Sequence, residues 1–137
     1  MVAYLSQPST QHALGIDPAM RGNFSDVNFE LNKAFHGMLD IAHSSTAHVA
    51  ALLERGVRVL IYVGDYDFAC NWVGNERWTR ELEWSGRAAF AAQEMQAWEV
   101  DGKAVGKVRS HGNFTFATVH GAGHLVRAQL LERVCRC

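Results

Sequence analysis

The sequence predicts an α/β fold in which an incomplete sheet is flanked by helices and closes with a β-hairpin. Three observations carry this. Residues 57 to 63, Val-Arg-Val-Leu-Ile-Tyr-Val, form a β-branched apolar run that ends at Gly64-Asp65, the pattern of a strand buried on both faces. Residues 71 to 82 follow with Trp72, Val73, Trp78 and Leu82 at helical spacing. Beyond residue 96 the period changes to strand alternation around Asp101-Gly102, a strong hairpin turn.

Taken in order, residues 8 to 14 predict a short helix entered through Ser6, with Pro8 in its first turn and Gly15 as the glycine that stops it. Residues 16 to 40 mix Pro18, Gly22, Asn23, Asn28, Asn32 and Gly37 with scattered apolar positions and predict loop with one short turn of helix. A second helix is expected over 45 to 55, where Ala47, Val49, Ala50, Leu52 and Leu53 recur near helical spacing before Gly56. After the central strand and its helix, residues 88 to 96 suggest another short helix. Strands are then expected at 98 to 100, 104 to 109 and 114 to 119, and a last helix over 126 to 134.

With 137 residues the chain is sized for one domain, 1–137, and no repeat or low-complexity linker divides it. Thirteen basic and 14 acidic residues leave a net charge of -1, which gives no electrostatic ground for a nucleic-acid or anionic-membrane partner. No apolar run approaches the roughly 18 residues of a membrane span, and the N-terminus has neither the charged nor the apolar region of a signal peptide. Asn23-Phe24-Ser25 and Asn113-Phe114-Thr115 are glycosylation sequons that would suit a secretory protein. Cys70, Cys135 and Cys137 make an odd count, and Cys135-Arg136-Cys137 is too tight for an ordinary bridge, so no internal disulfide is expected.

In α/β folds chemistry collects past the carboxyl ends of strands. Asp65 and Asp67 follow one strand, and His124 follows another on the loop Gly121-Ala122-Gly123. An aspartate there can fix the tautomer of a histidine and stabilise its imidazolium, the acid and base half of a hydrolase triad. On residue types alone the plainer reading prevails, a turn- or helix-capping aspartate and a surface or satisfied core histidine. His120 and His124 are four apart, but Gly121 and Gly123 oppose the helix that a metal pair at this spacing needs, so no metal and no other cofactor is expected. The order Asp then His matches α/β-hydrolases, whose nucleophile stands upstream on Gly-x-Ser-x-Gly. None of Ser6, Ser9, Ser25, Ser44, Ser45, Ser85 and Ser110 has a glycine two residues before it.

The block from Gly64 to Asn75, Gly-Asp-Tyr-Asp-Phe-Ala-Cys-Asn-Trp-Val-Gly-Asn, resembles the catalytic-acid region of the serine carboxypeptidase family. Tyr4-Leu5-Ser6-Gln7-Pro8, Asn28-Phe29-Glu30-Leu31-Asn32, Trp78-Thr79, Gly106-Lys107-Val108 and Gly121 to Val126 extend the likeness in the same order, over roughly residues 4 to 126. The resemblance implies the C-terminal part of an α/β-hydrolase fold, with Asp67 as the catalytic acid, His124 as the base and Asp65 structural. It also implies that Cys70, matching a cysteine near the substrate pocket in carboxypeptidase Y-like members, is a free, partly buried thiol, and that Ala69 and Leu125 line the pocket beside it.

The family removes C-terminal residues from peptides, so a peptide substrate is implied for the full-length enzyme, in a vacuolar, lysosomal or secreted setting. Without the serine, the chain is expected to be inactive alone, to need an N-terminal complementing chain, and to be prone to aggregation through its half-built sheet. A non-catalytic relic or binding module of the same fold, and an acyltransferase using the same triad, are the competing expectations. Two departures stand out. Val27 replaces a cysteine that pairs far upstream in the family, and Arg127-Ala128-Gln129 replaces the family's proline and longer helix, which suggests an altered C-terminus.

Overall fold

The computed structural model describes residues 1–126, apart from the side chain of Ile41. The helix expected over 126 to 134, and with it Cys135 and Cys137, lies outside the described residues. The described chain groups into two compact units, Met1–Ser44 and one that begins at Ser45.

In the first unit α1 (Val2–Leu5) leads into α2 (Pro8–Ala13). Pro8 occupies the first turn, where its missing N–H would be unpaired anyway, and Gly15 takes φ +69 to stop the helix. Ser6 is not the cap that its position suggests. Gln7 stands at the N-cap, and Ser6 Oγ instead accepts the Phe24 N–H at 2.8 Å. Among the described residues the buried side chains of this unit are polar, Thr10 and Gln11. The Gln11 amide donates to the carbonyls of Leu5 (3.0 Å) and Gly22 (2.6 Å) and accepts from the Gly22 N–H (3.2 Å). One side chain thereby ties α2 to the end of α1 and to the loop at Gly22.

The stretch from 16 to 40 is more helical than its composition suggests. A 3-10 turn at Pro18–Met20 is followed by the nine-residue α3 (Phe29–Gly37). Asn28, which counts as a loop former in the sequence, is the N-cap of α3, and its Oδ1 accepts the Leu31 N–H at 2.9 Å. Glu30 in the first turn and His36 in the last complement the helix dipole.

The second unit is built on a four-stranded sheet. α4 (Thr46–Glu54) stops at Gly56, φ +74, and gives way to β1 (Val59–Gly64). α5 (Trp72–Glu81) is capped by Asn71, whose Oδ1 accepts the Gly74 N–H at 2.9 Å, and α6 (Arg87–Ala91) follows. The hairpin of β2 (Gln96–Val100) and β3 (Lys103–His111) turns through Asp101 and Gly102 at φ +50 and +71, the double positive φ of a type I′ turn. β4 (Phe114–Val119) returns beside β1 and runs parallel to it, and the sheet order is β1-β4-β3-β2.

Strand alternation decides what each face does. Val59, Ile61 and Val63 of β1 share a face with Phe114 and Phe116 of β4, and this face packs with Leu53 of α4, Leu82 and Phe90 into the main core. Phe90 stacks on Phe114 at 4.6 Å and Trp84 meets Phe114 edge-on at 6.0 Å. The same face buries an ion pair: Arg109 Nη1 lies 2.6 Å from Glu76 Oε1, while its Nε donates to the Gln93 carbonyl at 2.7 Å. On the opposite face Trp98 packs with Val119, Ala122 and Val126.

The expectation that the strand over 57 to 63 is buried on both faces is overturned. Among the described residues β1 is an edge strand with one bare face, and Leu60 and Tyr62 are 58% and 52% exposed. The inner strand is β4, in which every residue but Thr115 is buried because a strand flanks it on each side.

Candidate active site

β1 and β4 are parallel neighbours in register, with Val63 opposite Thr118 and Gly64 opposite Val119. Their carboxyl ends therefore open side by side, and the loops that leave them meet. The Asp65 N–H donates to the Val119 carbonyl and the Tyr66 N–H to the Ala122 carbonyl, both at 3.0 Å. The loops touch so closely that a Cβ on Gly64 would stand 2.1 Å from the Ala122 carbonyl oxygen and 2.6 Å from that of Gly123, distances no side chain tolerates. Glycine is required at position 64 for that approach.

Asp67 and His124 are brought together at this junction. His124 Nδ1 lies 2.8 Å from Asp67 Oδ2, with Asp67 only 5% exposed at its side chain and His124 68% exposed. Asp67 serves two purposes at once. Its Oδ1 accepts the Cys70 N–H at 2.9 Å and closes the turn into α5, leaving Oδ2 for the histidine. The turn-capping role and the histidine-orienting role, which compete when only residue types are known, fall on different oxygens of one carboxylate. The Cys70 N–H foremost, then the His124 ring, hold the Asp67 carboxyl below the usual carboxylate range, against a smaller opposing effect of burial.

The turn beyond Asp67 is pinned to α5. Asn75 Nδ2 donates to the Cys70 and Asn71 carbonyls, each at 3.0 Å, and Trp78 Nε1 donates to Asn75 Oδ1 at 3.0 Å. Ala69, Cys70 and Leu125 all lie within three residues of the pair along the chain, and all three are exposed, so Cys70 is not the partly buried thiol that the resemblance implies, although its backbone N–H is engaged by Asp67. Phe68, 96% exposed, adds to this bare apolar rim. Asn23 is exposed, whereas Asn113 is partly buried in the β3–β4 turn and donates from Nδ2 to the Gly56 carbonyl at 3.1 Å.

His120 does not pair with His124. Its Nδ1 instead donates to Asp65 Oδ2 at 2.9 Å, and Asp65 Oδ1 accepts the Gly121 N–H at 2.7 Å. A second acid–histidine pair therefore stands beside the first. Its signal in the sequence is the acid-x-acid of one loop facing histidines four apart on the other, a pattern legible only once the two strands are known to be neighbours. Asp67, Cys70 and His124 each offer a ligand atom within 4.8 Å of the others. A cation held there would compete with the Asp67–His124 hydrogen bond for the same atoms. A groove of about 530 Å³ between α4 and α5, lined by Thr46, Ala50, Trp78 and Leu82, shares no residue with the junction.

Comparison with known proteins gives a consistent result. The family profile described as "Serine carboxypeptidase" matches residues 1–133. Carboxypeptidase Y of Candida albicans is 40% identical over 123 residues, covering 90% of this chain and 22% of that protein. Carboxypeptidase Y homolog A of Aspergillus niger is 42% identical over 130 residues, with the same two coverages. The crystal structure of a prohormone-processing carboxypeptidase from Saccharomyces cerevisiae superposes with a TM-score of 0.70 at 22% identity, over 95% of this chain and 29% of that one. The chain thus spans about a fifth of the length of the curated relatives it matches.

Proposed function

The chain belongs to the serine carboxypeptidase family, and on that premise we propose that it carries the acid and base of a peptide-hydrolysing site whose nucleophile comes from another segment. The observation that supports this most directly is the 2.8 Å contact between His124 Nδ1 and a buried Asp67 oxygen, with the rest of the imidazole open to solvent. In this reading the Asp67 carboxylate accepts from Nδ1–H, which leaves the lone pair on Nε2 of a ring that is largely exposed. In the proposed reaction Nε2 takes the proton of a serine hydroxyl as it attacks the scissile carbonyl. It then returns that proton to the leaving amine, while Asp67 stabilises the transient imidazolium.

Peptides processed from their C-terminus are the substrate class that the family resemblance supports, and Ala69, Cys70 and Leu125 supply one wall of the pocket. The family also supports a vacuolar or secretory setting. No described helix is long and apolar enough to cross a membrane. With no serine on a Gly-x-Ser-x-Gly elbow, the isolated chain is inactive, because loss of the nucleophile removes most of the rate enhancement of such a site.

The test is reconstitution. The chain is mixed with an N-terminal segment of a family relative that bears the serine elbow, and release of the C-terminal amino acid from an N-blocked dipeptide is followed. Hydrolysis that appears only in the mixture and is abolished by Asp67→Ala or His124→Ala supports the proposal. A heterodimer that binds the dipeptide without turnover overturns it in favour of a non-catalytic binding module, and transfer of an ester's acyl group to an added alcohol would mark an acyltransferase.

A further inference from the structure

The chemistry proposed above uses Asp67 and His124 and leaves Asp65 and His120 idle, although they form a pair of the same kind on the same two loops. The loop that presents the base is poorly suited to hold still by itself. It contains two glycines between His120 and His124, and Gly121 takes φ +64, so its unfolded backbone has unusual freedom to lose. One carboxylate grips its start. Asp65 Oδ1 accepts the Gly121 N–H at 2.7 Å and Oδ2 meets His120 Nδ1 at 2.9 Å, so successive residues at the start of the loop are gripped by one rigid group. Hydrogen bonds to an ionised acceptor are about twice as strong as neutral ones.

The grip is anchored on both sides. The His120 N–H donates to the Val105 carbonyl at 2.8 Å, the Asp65 N–H to the Val119 carbonyl at 3.0 Å, and the Tyr66 N–H to the Ala122 carbonyl at 3.0 Å. The close approach at Gly64 leaves the loop no room to sink toward β1. We propose that Asp65 and His120 are positioning residues: the Asp65 carboxylate clamps His120 and Gly121 and thereby holds the base loop where His124 meets Asp67. This rests on the assignment of His124 as the base, but its consequence is geometric and needs no turnover to observe.

The experiment uses the full chain with nitrogen-15-labelled histidine and follows the His124 Nδ1 proton that bridges to Asp67, assigned by its loss in Asp67→Ala. Its solvent exchange is compared with that of core amides in β3 and β4. Asp65→Ala is expected to raise exchange at His124 roughly tenfold or more, the effect of losing a pair of hydrogen bonds, with little change in the core amides. Asp65→Asn, which keeps an acceptor for Gly121, falls between. His120→Gln, which keeps a donor for Asp65, gives a smaller rise and decides the matter if Asp65→Ala does not fold.

The positioning role is overturned if exchange at His124 stays at its wild-type rate in Asp65→Asn and His120→Gln. It is also overturned if the core amides speed up equally, since Asp65 would then serve general stability alone. If Asp67→Ala removes no histidine Nδ1 proton signal, the base assignment fails instead, so the two failures are distinct.

Discussion

The Arg109–Glu76 pair offers the sharpest test of how the second unit holds together. Arg109 is 7% exposed at its side chain and Glu76 16%, so removing the acid alone leaves a cation in the core with the Gln93 carbonyl as its acceptor among the described residues. Breaking one side of a buried pair typically costs about 3–5 kcal/mol, whereas replacing both members with apolar residues of similar volume is often close to neutral. Glu76→Leu should therefore destabilise by about 3 kcal/mol or more, and the double variant Glu76→Leu/Arg109→Met should recover most of that loss. For a unit of this size each kcal/mol shifts the melting midpoint by about 4–8 °C, so the single variant should melt at least about 12 °C lower. Circular dichroism melts of wild type, both single variants and the double variant close the cycle. Additive costs would refute the reasoning, because they would mean that Arg109 is already well satisfied without Glu76.

Three further outcomes are expected. Because the folded Asp67 carboxyl is held below its ordinary value, its contribution is fully present above the unfolded carboxylate value near ~3.9 and is lost only as pH falls through the lowered folded value. Carbon-13 NMR of the Asp67 carboxyl should show this acid-shifted midpoint, and titration at the ordinary value would contradict it. Leu60 and Tyr62 contribute little to the core, so Leu60→Ser/Tyr62→Ser should reduce concentration-dependent association in light scattering without lowering the melting midpoint by more than about 0.5 kcal/mol equivalent; unchanged association would count against the bare β1 face as its cause. In a secretory host, peptide mapping should find glycan at exposed Asn23 and none at Asn113, whose amide is engaged with Gly56, and an occupied Asn113 would reverse that.

Elements were legible where one local signal dominated. Gly15 and Gly56 mark true helix stops, Asp101-Gly102 is the hairpin turn, and Asn71 with the apolar spacing behind it locates α5. α3 was hidden because Asn28 looks like loop until its side chain is seen to cap Leu31. β1 misleads for a different reason. Its apolar residues on both faces describe a strand with neighbours that the described residues do not include, and burial belongs to β4, which has them. The Asp67–His124 geometry followed from the family motif, whereas the Asp65–His120 pair depends on the parallel register of β1 with β4, a non-local fact that no residue spacing encodes.

The Asp67–His124 pair forms within the described residues for a structural reason. The contacts described between the two loops come from the adjoining ends of β1 and β4 and the turn into α5. Those elements share the Leu53, Val63, Phe90 and Phe114 core, so the acid and the base are placed by strand register and close backbone packing. Ala69, Cys70, Leu125 and Phe68 remain exposed because that register brings no described residue over them. A segment completing the proposed site would then have two separable tasks. It must cover the open edge and bare face of β1, which governs stability, and it must deliver a hydroxyl to His124 Nε2, which governs rate. Segments that accomplish the first without the second should rescue solubility and leave the chain silent toward peptides.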